Sequence, residues 1–239
     1  VWDRALSPTE VQNVMYKTWY ELSGTLKQGI ISWWALDDID SYSVSDLSAT
    51  QTVHILDLVG NNTVISGWAS TDATFQTGLY GGLTPLIPRG VDNAPVVQAD
   101  AIGTGYANFD DDAEYIDFGN VCNLGTADFS IAMWAYCNDW DYDTIEDTYL
   151  IHKRYDPTYH WYLRTQGSKQ LQFVAVENSN TRISKTGAYL TNGRWHHIAI
   201  TVDQDSILKM YVDGVMSFSN SVSNTTSLDN AGSLKLGER

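Results

Sequence analysis

The second half of the chain is a succession of short apolar runs, each closed by turn residues, with no helical pattern between them. "FSIAMWAYC", "YLIHKRY", "HWYLRT", "QLQFVAVE", "RWHHIAITVD" and "LKMYVDGVMSFS" follow one another between residues 129 and 219. Runs of this length without crossover helices pair antiparallel, and the expected fold is all-β, a two-sheet antiparallel jelly-roll sandwich. In "FSIAMWAYC" Phe129, Ile131, Met133, Ala135 and Cys137 alternate with Ser130, Ala132, Trp134 and Tyr136. Both faces are largely apolar, which predicts a strand covered on both sides. Val212-Asp213-Gly214-Val215 puts Asp-Gly between two strand-like runs, a hairpin signal.

The first half is less regular. Ser7-Pro8-Thr9-Glu10 carries an N-cap, a proline at the first helical position and the means to close a capping box. A short helix is expected from there to about Tyr20, preceded by an extended Val1–Leu6. "GIISWWALDD" reads as a first strand, and "DLVGNNTVISG" as a Gly-Asn-Asn turn before a short apolar run. Residues 39–56 look like an insertion, and residues 69–100, with three of the five prolines, like a long irregular excursion.

Charge narrows the partners. Fourteen basic against twenty-nine acidic residues leave a formal charge of −15, which repels phosphate backbones and anionic headgroups, so neither nucleic acid nor membrane insertion is expected. No apolar run approaches the roughly 20 residues of a spanning helix. Nine Trp and fourteen Tyr are many for 239 residues, and rings left at the surface suit a sugar or a protein partner. Cys122 and Cys137 are separated by a strand of about nine residues, nearly 30 Å long, so two free thiols are preferred to a bridge. Asn61-Asn62-Thr63 and Asn224-Thr225-Thr226 are glycosylation sequons that read more simply as polar turns.

"RWHHIAITVDQDSILKMYVDGV" resembles the signature stretch of laminin-G-like domains in the concanavalin A-like lectin and glucanase superfamily. "YANFDDDAEYIDFGNVCNLGTADFSIAMWAY" is similar to that family's strand pair upstream of it, and "ISWWALDD" and "DLVGNNTVISG" to its opening strand and Gly-Asn turn. Asp111 stands where a Gly is usual, Glu114 where an Asp is usual, and the 39–56 insertion is longer than typical. "WDRALSPTEV" is similar to the strand and helix start with which family domains finish, while "GSLKLGER" stops where a final strand would continue. The resemblance therefore implies a slice of a tandem array: residues 1–28 as the strand, helix and linker of a preceding copy, and residues 29–239 as a jelly roll lacking its last strand. The alternative is a permuted domain in which Val1–Leu6 fills its own open edge. The contacts of Trp2 distinguish the two.

Calcium is the one cofactor to consider. Asp139, Asp141, Asp143 and Asp147 in "NDWDYDTIED" give oxygen ligands at alternate positions, although Thr144 occupies the site where an EF-hand-like turn needs Gly. Asp57 with Asn61 and Asn62 is an alternative set, at the turn where the resemblance implies a structural calcium in some relatives. Catalysis has little support. The alternating carboxylates of the superfamily's glucanases are missing, and Glu114 and Asp117, three apart, face opposite sides of a strand. His196 and His197 likewise point to opposite faces and read as packing and hydrogen-bonding residues. Binding is better supported: Trp140, Tyr142, Tyr155, Tyr159 and Trp161 lie in or beside two hairpin loops, interleaved with Arg154, His160, Asp139, Asp141 and Asp156. The expected function is a non-catalytic recognition module, outside a cell or on a virion, binding glycan or neighbouring protein copies within a larger assembly. A purely structural subunit of such an array and an accessory domain of a carbohydrate-active enzyme are the alternatives.

Overall fold

The computed structural model describes residues 1–34, 115–140, 148–167 and 169–237, together with the backbone of four short strands between them. In chain order the elements are α1 (Pro8–Met15), a 3-10 turn (Trp19–Glu21), α2 (Gly24–Lys27), β1 (Thr52–Ile55), β2 (Val64–Gly67), β3 (Thr74–Thr77), β4 (Gly105–Asn108), β5 (Tyr115–Asp117), β6 (Phe129–Cys137), β7 (Thr148–Asp156), β8 (Tyr159–Gln166), β9 (Gln170–Glu177), β10 (Asn180–Tyr189), β11 (Arg194–Asp203), β12 (Ile207–Val212), β13 (Val215–Ser221) and β14 (Ser233–Gly237). Strands β1 and β2 pair with each other, as do β3 and β4. The remaining strands form two antiparallel sheets. One has six strands in the order β10-β9-β8-β7-β14-β5, and the other four in the order β13-β12-β11-β6.

Between these sheets lies one core, in which Ile116, Phe129, Ile131, Trp161, Leu163, Leu171, Phe173, Ile198, Ile200, Leu208, Met210 and Leu234 are each at most 1% exposed. Each contributes every second residue of its strand, as the pleat requires. Lys153 also points inward from β7, where Nζ donates to Asn120 Oδ1 at 2.6 Å and to the Val121 carbonyl at 2.7 Å. Burial holds its ammonium well below the usual lysine range, at about 8. The sheets approach closely at one side, where a Cβ on Gly187 of β10 would overlap the Phe218 ring of β13.

Most of residues 1–34 cover the outer face of the four-stranded sheet, while Val1, Ile31 and Trp34 reach the core between the sheets. Trp2, Leu6, Val11, Val14, Leu22, Leu26 and Ile30 form a second apolar cluster with Ala199 and Tyr211 of that sheet. Trp2 exchanges backbone hydrogen bonds with Ser130 (2.9 and 3.0 Å) and bridges to Ile30 on its other side, so this segment lies along the β6 edge. The Trp2 indole donates to the Leu26 carbonyl at 2.9 Å and meets Trp33 edge-on at 6.1 Å. These are the contacts of a segment packed on the sheet of its own chain. They also explain why both faces of β6 are apolar, one facing the core and the other this cap.

The capping box forms as expected, with Glu10 N donating to Ser7 Oγ and Ser7 N to Glu10 Oε2. Helix α1 ends at Met15, however, and not near Tyr20: the chain turns at Tyr16, and Trp19 enters the 3-10 turn to pack on Trp33. "GIISWWALDD" is no strand over its described residues, since Ile30 and Trp34 make only isolated bridges. The Asp213-Gly214 hairpin has both turn residues at positive φ, 52° and 73°, as a type I′ turn demands. Cys122 and Cys137 are free thiols. Asn224 is buried, with Nδ2 donating to Gln204 Oε1 and the Thr226 carbonyl, so this sequon serves as a turn.

Candidate functional site

The outer face of the six-stranded sheet concentrates the groups a ligand could use. On β8, Trp161, Leu163 and Thr165 turn into the core, which leaves His160, Tyr162 and Arg164 on the outside. On β7, Ile151 and Lys153 are internal, and His152 and Arg154 external. Register aligns these positions across the sheet: Ser184, Val174, Tyr162, His152, Lys235 and Asp117 form one continuous row through five strand pairings. Tyr149, Arg164 and Gln172 occupy the next row, and Arg154, His160 and Val176 the row on the opposite side.

The side chains on this surface hold one another in place. Tyr149 meets Tyr162 edge-on at 5.2 Å and His152 at 5.3 Å, and the His160 ring lies parallel to Tyr162, 5.7 Å away with only 5° between planes. The Arg164 guanidinium lies 4.8 Å from the Tyr162 ring centroid and 5.9 Å from that of Tyr149, and Nε donates to Gln172 Oε1 at 2.7 Å. At the far side Lys235 Nζ sits 3.8 Å over the Tyr115 ring. Burial raises the Tyr162 hydroxyl, keeping it a neutral donor, and lowers His160, which Arg154 lowers further. The result is a half-buried shelf of rings with hydrogen-bonding groups between them, fixed in position before any ligand arrives.

This is not the set of residues that the loops suggest. Trp140 is 3% exposed and its indole donates to the Thr191 carbonyl at 3.1 Å, while Trp161 is 1% exposed and packs near Phe173, so neither ring can stack on a ligand. Both are core residues: Trp161 sits on the inward parity of β8, and Trp140, past the end of β6, is held inward by the Asn192 side chain and the Thr191 carbonyl. Tyr155 is 61% exposed at the end of β7, Tyr159 is half-buried, and Arg154 lies on the outer face beside His160. Tyr142 lies outside the described residues. Tyr149, His152, Tyr162, Arg164 and Gln172 are absent from the sequence-based set; the alternation of His160, Tyr162 and Arg164 in "HWYLRT" was the available signal.

For calcium, Asp139 accepts a hydrogen bond from Asn192 Nδ2 at 2.7 Å, and Asp141, Asp143, Asp147, Asp57, Asn61 and Asn62 lie outside the described residues. Among the described residues no three His, Cys, Asp or Glu side chains are grouped to hold a metal ion. His196 and His197 face opposite ways, as expected. His196 is a structural clamp: Nδ1 bonds Asp213 Oδ2 at 2.8 Å, and Nε2 accepts from Thr191 N at 2.9 Å. Asp117, the nearest approach to a catalytic carboxylate in the sequence, accepts from Gly119 N at 2.7 Å in a tight turn.

Solved structures align with this chain over much of its length. The binding domain of Paraclostridial Mosquitocidal Protein 1 aligns with 77% of this chain at 18% identity and a TM-score of 0.50, and the chain spans only 42% of that protein's length. Domain 4 of AbnA, an extracellular GH43 arabinanase from Geobacillus stearothermophilus solved with arabinotriose, aligns at 18% identity and a TM-score of 0.47, covering 77% of each chain. The receptor-binding domain of botulinum neurotoxin D aligns at 11% identity and a TM-score of 0.46, over 80% of this chain and 43% of the other. No curated protein matches the sequence. A laminin-G family model described as the concanavalin A-like lectin/glucanases superfamily matches residues 110–239, the stretch that supplies both main sheets. The chain belongs to the concanavalin A-like lectin/glucanase superfamily.

Proposed function

We propose that this chain is a non-catalytic recognition module, working outside a cell or on a particle surface, that binds glycan on the outer face of its six-stranded sheet. The observation that carries the reading is the Tyr149, Tyr162 and His160 shelf with Arg164 and Gln172 set among the rings. A pyranose offers an apolar C–H face to an aromatic ring and a rim of hydroxyls to amide, guanidinium and imidazole groups, and this surface offers the complement of both. Preorganisation by ring contacts lowers the entropy lost on binding. We also read residues 1–34 as the cap of this domain, in place of the tail of a preceding copy, from the Trp2 contacts described above.

A glycan array tests the first reading. Hits by the unaltered chain should weaken about tenfold in Tyr162→Ala and again in Tyr149→Ala, since each stacked ring contributes about 1 to 1.5 kcal/mol. Melting curves should show both variants folded, because neither ring belongs to the inter-sheet core. Tyr155→Ala should leave the hits unchanged. An array without hits, together with self-association of the chain, would favour the structural-subunit reading.

A further inference from the structure

We propose that the ligand of this face is a sugar bearing a carboxylate, and that Arg154 receives it. This rests on the reading of the face as glycan-binding and names the class of glycan. Five arginines lie among the described residues, and four have evident tasks. Arg4 pairs with Glu10 at 2.7 Å, Arg182 with Glu177 at 2.5 Å and Arg194 with Asp213 at 3.4 Å, while Arg164 is held by Gln172 and two tyrosine rings. Arg154 differs. It is exposed on the outer face of β7, directly opposite His160 on β8, and none of the described residues forms a hydrogen bond or ion pair with its guanidinium.

In a chain with a formal charge of −15, an uncommitted guanidinium beside an aromatic shelf is conspicuous. The nearest carboxylate along the strand is Asp156, and its Oδ1 is already taken: it accepts from Thr158 N at 2.7 Å, Thr158 Oγ1 at 2.6 Å and Tyr159 N at 3.0 Å, closing the hairpin turn. The turn thus holds Oδ1 of the local acid, and Asp156 forms no ion pair with Arg154. Across the strand pair His160 stands directly opposite Arg154, with Tyr162 next to it on the same face, so a sugar seated against these rings can direct a substituent toward Arg154. A planar carboxylate matches the guanidinium fork with two parallel hydrogen bonds. A polyanion fits less well, because the acidic remainder of the chain would repel each charge beyond the first.

The test is calorimetric titration of the full chain with four probes: an oligosaccharide ending in a hexuronate or nonulosonate, its methyl ester, its neutral parent and a sulfated parent. The free acid should bind at least tenfold more tightly than the ester, and this advantage should shrink with added salt. Arg154→Gln should lose about 10- to 100-fold for the acid, as expected for a hydrogen-bonded charge, and nothing for the ester. Arg154→Lys should recover only part, since an ammonium keeps the charge without the fork. Equal affinity for acid and ester, or an Arg154→Gln variant that binds the acid normally, overturns the assignment and leaves glycan recognition standing. A sulfated probe that matches the acid overturns the choice of carboxylate. Binding of none of the four overturns the assignment and the glycan reading together.

Discussion

Trp2→Ala should destabilise the protein by about 3 to 5 kcal/mol, the range for removing a fully buried large ring, and lower the melting temperature by roughly 10 °C. Trp2 is 1% exposed, and the alanine variant loses three things at once: the apolar contact with Ala199 and Tyr211, the edge contact with Trp33, and the indole donor to Leu26. The cavity would lie between the cap and the four-stranded sheet, so partial collapse is resisted from both sides. The same variant also bears on how the chain is organised. If residues 1–28 served a preceding copy, the substitution would leave the melting of the jelly roll nearly unaltered. If they cap this domain, it is among the most damaging single changes available. Differential scanning calorimetry of the two proteins reads the answer directly.

Acid should weaken the protein through His197, by up to about 3 kcal/mol between pH 6.5 and pH 4. His197 is fully buried beneath the end of α1, with Trp134 against its ring at 5.4 Å, and Trp134 in turn donates to the Met15 carbonyl at 2.9 Å. Burial pushes its imidazole down to about 4, against a modest opposing pull from Asp213. Because the folded-state value is depressed, the unfolded chain takes up a proton near pH 6.5 while the folded one resists until about pH 4. Protons bound by the unfolded state alone favour unfolding, so stability falls with pH across that window and the group has no effect above it. Urea denaturation at pH 7 and pH 4.5 should show the loss, and His197→Phe, which fills the space without titrating, should remove most of it. The same pH dependence in the phenylalanine variant would place the acid sensitivity elsewhere.

Much of the fold follows from local chemistry that a sequence displays. The doubly apolar alternation of "FSIAMWAYC" requires a strand covered twice, and β6 is covered by the core through Phe129 and Ile131 and by the cap on its Ala132 side. Asp213-Gly214 tolerates the two positive φ values of its turn, so the hairpin is fixed by two residues. The proposed binding face is harder to read from sequence. Trp161 and Tyr162 are adjacent aromatics, and nothing in their chemistry alone says which turns outward. That depends on the parity of β8 relative to the core, and bulges after Tyr149 and Arg154 shift the pairing with β7. Loop position points to Trp140 and Trp161, whereas Trp140 packs inward past the end of β6, Trp161 turns into the core from β8, and the alternate residues His160, Tyr162 and Arg164 of β8 lie half-buried on the outer face. The end of α1 was also hidden, because Trp19 fits the helical spacing but gains more from Trp33 and from Lys27 at 4.4 Å over its ring.

Backbone and side-chain chemical shifts recorded while a bound glycan is titrated in test the central claim most directly. The account predicts that the largest perturbations fall on Tyr149, Arg154, His160, Tyr162, Arg164 and Gln172, which share one face of the six-stranded sheet. Perturbations centred on Tyr136 and Trp195 of the other sheet, or confined to the Tyr155 end of the β7–β8 hairpin with Tyr162 unmoved, would contradict it.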